Sequence, residues 1–458
     1  MNAIDALLDH VLETDYARLP TEAVDAAKAF ILDAIGVGIS GSNHPRLGEV
    51  KRAVSCWGAG RDARVWATGE WLPACSAALV NAYQVHNQEY DSLHDRCVVH
   101  APATILPVLL AYAERHGGVH GRDLIVALAV GIDVAAFIGM AQGAPMRFFR
   151  PAMCGALGAV AALAKLARFD RERMHNAFGI TYSQLSGTMQ AHTEGSPTLA
   201  LQIGFNARAV LTAFDLAAQG FAGPKDILEG RFGYFALFDG EADWSAGSAD
   251  LGRVFQVTRM SHKPFPTGRA AHGGIDGVLT LQARHGFTAD DVARVRISAP
   301  PLIVHLVGRP ARPGMEVGYA KLCIGYVVAT ALLTGSVGVD DFTADRLADP
   351  RRLALARRVQ LVANEIIDPN ALAPQSVEVE LKNGALHKVD LPAVLGHPDR
   401  PLGRAEQLKK FEACCRSAST TFDRAVVAQL VAAIDRLDTV DDVRSILDLM
   451  VVSDRASV

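Results

Sequence analysis

Between Gly121 and Met140 the chain reads GRDLIVALAVGIDVAAFIGM, charged only at Arg122, Asp123 and Asp133. Cys154 to Ala167, CGALGAVAALAKLA, carries the single charge Lys165. A helix that is apolar nearly all round has no face to offer water, so other helices must enclose it. Two such stretches close together require a large helical domain. Gly155, Gly158, Ala159, Ala161 and Ala162 are small and permit close helix contact. A membrane span is the competing reading. However, Leu124 to Ala144 contains Asp133, lies between Asp123 and Arg147, and falls short of the roughly 20 clean apolar residues a span needs. A buried helix and no membrane are expected.

Composition agrees. Of 458 residues, 50% are hydrophobic but only 7% aromatic, so Ala, Val, Leu and Ile supply most of the apolar surface. That excludes a disordered chain, and the length suffices for sizeable cores. The net charge of -4 and the few aromatics argue against a nucleic-acid partner. The N-terminal MNAIDALLDHVLETDYARLP lacks the basic and apolar regions of a signal peptide. The seven cysteines form no C-x-x-C, so neither a disulfide framework nor a zinc knuckle is indicated. A cytoplasmic location is expected.

Helical patterns run from residue 1 to about 255: Ala23 to Gly36, Ala103 to His116, Gly121 to Met140, Cys154 to Ala167, Arg171 to Ser186 and Ile203 to Gln219. The texture then changes. Arg253 to Thr258, Val292 to Ser298 and Val359 to Val362 read as strands, and Tyr319 to Thr334 as a helix. In SVEVELKNGALHKVDL, Val377, Val379 and Leu381 alternate with Glu378 and Glu380, and Asn383-Gly384 predicts a type I′ hairpin turn. Helices resume at Arg404 to Ser417, Phe422 to Leu437 and Val440 to Val451. The expected fold is therefore mainly α. A large all-helical domain (1–257 and 395–458) is interrupted by a smaller α/β lid domain (258–394), and a cleft between them is the expected ligand site.

Three constellations carry possible chemistry. The first, HNQEYDSLHDRCVVHAP, holds His86, Glu89, Asp91, His94, Asp95, Arg96 and His100 directly before an apolar helix. His94 and His100 are six apart, which suits a loop or helix start. General acid/base groups oriented by carboxylates, a polar surface loop, or a metal site all fit. The metal reading is weak without H-E-x-x-H, and none is expected. The second, SHKPFPTGRAAHGGID, holds Lys263 as a proton donor or anchor, Arg269 as a carboxylate clamp, and His272, with exposed cations in a turn as the competing reading. The third, MRFFRPAMCG, puts Arg150 at the start of a buried helix, where an anion is favoured. His192 and Glu194 are further candidates to line a site. No G-x-x-x-x-G-K-[ST], strand-linked G-x-G-x-x-G or G-x-S-x-G occurs, so nucleotide, dinucleotide and hydrolase readings lose support.

In this order the constellations resemble the MmgE/PrpD family of methylcitrate dehydratases, cis-aconitate decarboxylases and iminodisuccinate epimerases. The resemblance also rests on LAAQGFAGPKDILEGRFG and AKLCIGYVVATALLTGSV and covers nearly the whole chain. It implies a helical domain split by a lid, a homodimer, no metal or organic cofactor, and chemistry on small di- or tricarboxylates that begins with loss of a proton beside a carboxylate. By matching position it implies roles for Asp91, His94, His100, Lys263 and His272, and substrate contacts for Arg269 and Tyr326. The sequence departs from the family pattern at Ser92, Leu93 and Ala101. Arg150 stands where well-known members have a histidine, and Leu199 and Gln202 stand where they have lysine and histidine. Arg keeps its proton at any working pH, so Arg150 can hold a carboxylate but cannot shuttle protons. Leu199 makes its side of the pocket less positive, and Gln202 is a candidate substrate contact. The resulting expectation is a cofactor-independent lyase, with an isomerase as the variant sharing the same first step. Arg150 and Arg269 anchor carboxylates, His100 or Lys263 removes the α-proton, and Asp91 orients a histidine. A non-catalytic carboxylate-binding or structural member is the alternative.

Overall fold

The computed structural model describes residues 2–240 and 242–452. The chain is mainly helical, with a four-stranded mixed sheet and a separate two-stranded pairing near residue 64.

Helices Gly121–Met140 and Arg150–Leu166 pack along each other at the centre, buried over nearly their whole lengths. The first is long and apolar enough to cross a bilayer, yet its sides are covered by neighbouring helices. Their small residues make the contact. A Cβ at Gly158 would lie 2.4 Å from Gly131 O, and one at Gly131 would lie 2.8 Å from Gly158 O. Asp133, the odd charge in this apolar run, is fully buried and satisfied. Its Oδ2 lies 2.9 Å from His10 Nε2, and its Oδ1 accepts from Gln256 N at 2.6 Å.

That last bond explains one departure from expectation. Arg253 to Thr258 is not a strand: Gln256–Arg259 forms a single 3₁₀ turn, with Gln256 N drawn onto Asp133. The other strands form where alternation marks them. Val292–Ala299 is central, parallel to Val359–Ala363 and antiparallel to Gln375–Leu381, which pairs in turn with Leu386–Leu391. Helix His272–His285 covers the inner face, and a Cβ at Gly277 would lie 2.4 Å from Val377. The hairpin turn is not type I′. Asn383 has ordinary backbone, Gly384 alone is left-handed (φ +87°), and Gly384 N donates to Leu381 O at 2.9 Å. This is a three-residue loop closed by a left-handed glycine. Lys382 N leaves the hairpin to donate to Asp291 O at 2.8 Å.

Tyr319 to Thr334 is two helices, Val317–Lys321 and Ile324–Thr334, broken at Leu322-Cys323. Helix Arg404–Arg416 returns to pack on Thr21–Gly41, where a buried Lys410–Asp33 ion pair (2.6 Å) joins them. Val440 to Val451 is mostly turns, with one short helix at Arg444–Leu447.

Candidate active site

Helix Ala74–Asn87 ends on His86, and helix Ala101–His116 begins just after His100. The irregular stretch between them is buried except at Asp95 and Arg96. It includes Glu89 with left-handed backbone (φ +51°), an uncommon geometry for a residue with a side chain. Its conformation is held from outside. Three consecutive carbonyls each accept from a different buried lysine: Gln88 O from Lys321 (2.8 Å), Glu89 O from Lys263 (3.1 Å) and Tyr90 O from Lys410 (2.8 Å). Lys321 also donates to the Gln88 side chain, and Lys263 to Glu89 Oε2 at 3.1 Å.

This stretch brings Asp91, His86 and His100 together. Asp91 Oδ2 lies 2.9 Å from Nδ1 of both histidines, whose rings stand edge to face with centroids 5.0 Å apart. Lys263 Nζ is 3.7 Å from the other Asp91 oxygen. With Asp91 ionised, both Nδ1 atoms carry the hydrogen, which leaves each Nε2 as the working nitrogen. Neither Nε2 has a hydrogen bond among the described residues, although Glu89 Oε1 is 3.8 Å from that of His86.

The shared carboxylate does not act equally on the pair. Burial alone would raise Asp91, but the charges of His86, His100 and Lys263 hold it well below the usual carboxylate range. Burial likewise opposes a charged His86, yet Asp91 and Glu89 outweigh it and raise its pKa. His100 goes the other way: burial, together with the charges of Lys263 and His86, outweighs Asp91 and lowers its pKa. Glu89, despite its burial, is held at about 2 by Lys263 and His86. Two histidines on one carboxylate thus separate into a proton holder and a neutral base. Burial and the Lys263 charge bring Lys321 down to about 7.

His86, Glu89 and His100 line a cavity of about 510 Å³, with His192 also on its wall. A second cavity of about 570 Å³ shares His86, Glu89, Leu199 and Leu322 and extends to an Arg46–Glu316 ion pair (3.1 Å) at the surface. His86, Asp91 and His100 also bring ligand atoms within 4.8 Å of one another, close enough for one metal ion. Binding there would require both Nδ1 hydrogens to leave, and the ion would face the Lys263 ammonium. The donor set is better matched by the hydrogen bonds it already makes.

Of the residues singled out from sequence, Asp91, His100 and Lys263 come together. The others stand apart from that cluster. His94 is buried against Gln256 (3.1 Å) and His272 against Thr267 O (3.3 Å); burial lowers both pKa values. Tyr326 donates to Asp341 O at 2.8 Å. Gln202 is bonded through both ends of its amide to the backbone of Thr188. Arg150 donates to Cys97 O (3.3 Å), Asn370 Oδ1 (3.1 Å) and Ala144 O (3.4 Å). Arg269 lines the cavity, but its guanidinium is taken by Asp95 (3.0 Å) and the carbonyls of His262, Val394 and Leu395. His86 and Glu89 stand in the same polar cluster, but the family resemblance points to His94, and sequence alone does not say which rings face inward. Lys321 had a readable signal: it is the one charge in an otherwise apolar segment.

Family models match in two blocks, the MmgE/PrpD N-terminal domain over residues 5–247 and the MmgE/PrpD C-terminal domain over 265–436. The chain belongs to the MmgE/PrpD family. This MmgE/PrpD chain is 27% identical to a cis-aconitate decarboxylase of Mus musculus over 434 residues, covering 91% of the chain and 86% of the relative. It is 25% identical to the cis-aconitate decarboxylase-like protein oryM of Aspergillus oryzae, covering 98% and 97%. A mitochondrial 2-methylcitrate dehydratase of Yarrowia lipolytica is 27% identical over 177 residues, covering 37% of the chain and 33% of the relative. His86, Glu89, Asp91 and His100 lie in the first matched block and Lys321 in the second, while Lys263 falls between the two.

Proposed function

We propose that this MmgE/PrpD chain is a lyase that acts on a small carboxylic acid by removing a proton alpha to a carboxylate, without a cofactor. The observation that carries this reading is the single Asp91 oxygen shared by His86 and His100, with both rings on the wall of one cavity. His100 Nε2 takes the α-proton, because burial, with the neighbouring cations, keeps that ring neutral. The electron pair left on carbon is stabilised by the positive charge of His86 and Lys263 in a site screened from water. His86, held protonated by Asp91 and Glu89, delivers its Nε2 proton to the departing β-group, which leaves with its bonding pair while the pair left on carbon forms the new double bond. Lys263, paired with Glu89 and Asp91, keeps both carboxylates ionised. Residues 258–394 act as the lid over this chemistry. The names of the relatives, a decarboxylase and a dehydratase, support a lyase.

The test is proton–deuterium exchange at the α-carbon of candidate acids, followed by NMR, with turnover measured alongside. His100→Asn is expected to lose at least about 100-fold in both, the lower range for a general base. Binding of acids without exchange or turnover across a broad panel would instead support a non-catalytic carboxylate binder.

A further inference from the structure

We infer that the acid this site accepts carries an apolar arm and no third carboxylate. The inference rests on the site assignment proposed above and deepens it. Away from His86, Glu89 and His100, the cavity wall carries Met146, Phe149, Met189, Leu199, Leu306 and Leu372, with His192 and Arg269 as its other polar groups. A carboxylate placed among the apolar groups would lose its hydration and gain no donor. The cations close by are engaged with the protein, and only Arg150 Nε and Arg309 Nη1 among their buried donors have no partner among the described residues. Arg150 and Arg269 hold carbonyls, Asn370 and Asp95, and Lys263 holds Glu89. Arg309 donates to the backbone of the wall residue His192 at 2.8 Å.

The apolar wall is built into the fold. Gln202 accepts from Thr188 N (2.6 Å) and donates to Thr188 O (3.3 Å). The strand-like stretch it pins pairs with the Phe148 region, where Phe149 N donates to Gly187 O at 3.1 Å. Met189 and Phe149 are thereby held on the cavity from two sides. The polar groups of the wall take the carboxylate and the reacting carbon, and the apolar groups take an alkyl or aryl group attached to it.

The experiment uses the full chain and a set of commercial acids: succinate, its 2-methyl, 2-propyl and 2-benzyl derivatives, and propane-1,2,3-tricarboxylate. Binding is measured by calorimetry and α-exchange by NMR. Affinity is expected to rise about fourfold per added methylene, with the tricarboxylate weakest. Met189→Gln and Leu372→Asn should flatten that gradient, and circular dichroism checks that each variant is folded. A flat series, or the tricarboxylate binding tightest, overturns the inference. His100→Asn separates the two claims. A gradient that survives this substitution while exchange disappears supports both. A gradient with no exchange on any acid in the unaltered protein sinks the lyase reading and leaves the apolar-arm assignment standing. Exchange that depends on His100 without a gradient does the reverse.

Discussion

Asp91→Asn isolates the centre of the proposed mechanism, because the replacement keeps the shape and removes the charge. Asp91 Oδ2 faces two imidazole hydrogens at 2.9 Å, while Oδ1 faces the Lys263 ammonium at 3.7 Å. An asparagine has one oxygen for these two tasks. If the oxygen faces the histidines, the amide hydrogens point at Lys263. If the oxygen faces Lys263, the amide donates toward both Nδ1 atoms and drives their protons to Nε2, where His100 can no longer act as a base. Either way the carboxylate–ammonium attraction is lost, on the order of 4–5 kcal/mol at 3.7 Å with an effective dielectric of about 20. His86 also loses its main cause of raised pKa and gives up its proton more readily. The expected loss of turnover and α-exchange is about 10³- to 10⁴-fold, or roughly 4–5.5 kcal/mol of barrier. Initial rates on the best acid of the panel, with thermal unfolding as a check on folding, measure it. A folded Asp91→Asn protein within about tenfold of the unaltered rate would refute the assignment of Asp91 as the orienting carboxylate.

Four further outcomes are expected. The pH–rate profile should be broad, with its acid limb below the usual histidine range (His100, lowered) and its alkaline limb above it (His86, raised), as a stopped-time assay across pH would show. Lys321, folded at about 7 and unfolded near 10.4, binds fewer protons in the native state between those values. Its contribution to stability therefore increases with pH, and the unfolding free energy of the unaltered protein relative to Lys321→Met should climb by up to about 1.4 kcal/mol per pH unit above pH 7 in urea titrations. Gly158→Ala puts a Cβ 2.4 Å from a backbone oxygen on the facing helix and should cost at least about 1–3 kcal/mol in the same titrations. Treatment with a chelator followed by desalting should leave turnover unchanged, and a loss restored by added zinc would move His86, Asp91 and His100 from hydrogen-bonding partners to metal ligands.

The helical frame was legible because its signals are local. Gly121–Met140 shows its complete burial in its own composition, and the Gln375–Leu391 hairpin shows its inner face by alternation. Arg253 to Thr258 misled for a tertiary reason: the buried Asp133 carboxylate, more than a hundred residues earlier, captures Gln256 N and stops a strand from forming. The same limit applies at the site. Asp91, His100 and Lys263 could be grouped from motifs, but His86 and His94 lie in the same polar run and only packing turns one inward and the other onto Gln256. Arg150 and Arg269 read as free cations in sequence. Their acceptors, Asn370, Asp95 and scattered carbonyls, are chosen by the fold.

The three lysines on the carbonyls of residues 88 to 90 carry a consequence for biosynthesis. Their partners lie 233, 174 and 320 residues away along the chain. Bringing such distant segments together carries the loop-closure cost that makes non-local contacts slow to form. A ribosome that has released the first 300 residues has already made both histidines and the carboxylate they share. The stretch that carries them still lacks the ammonium groups of Lys321 and Lys410. The conformation of residues 88 to 90 therefore waits on segments made 233 and 320 residues later, and a chain clipped before residue 321 leaves the Gln88 and Tyr90 carbonyls without these donors.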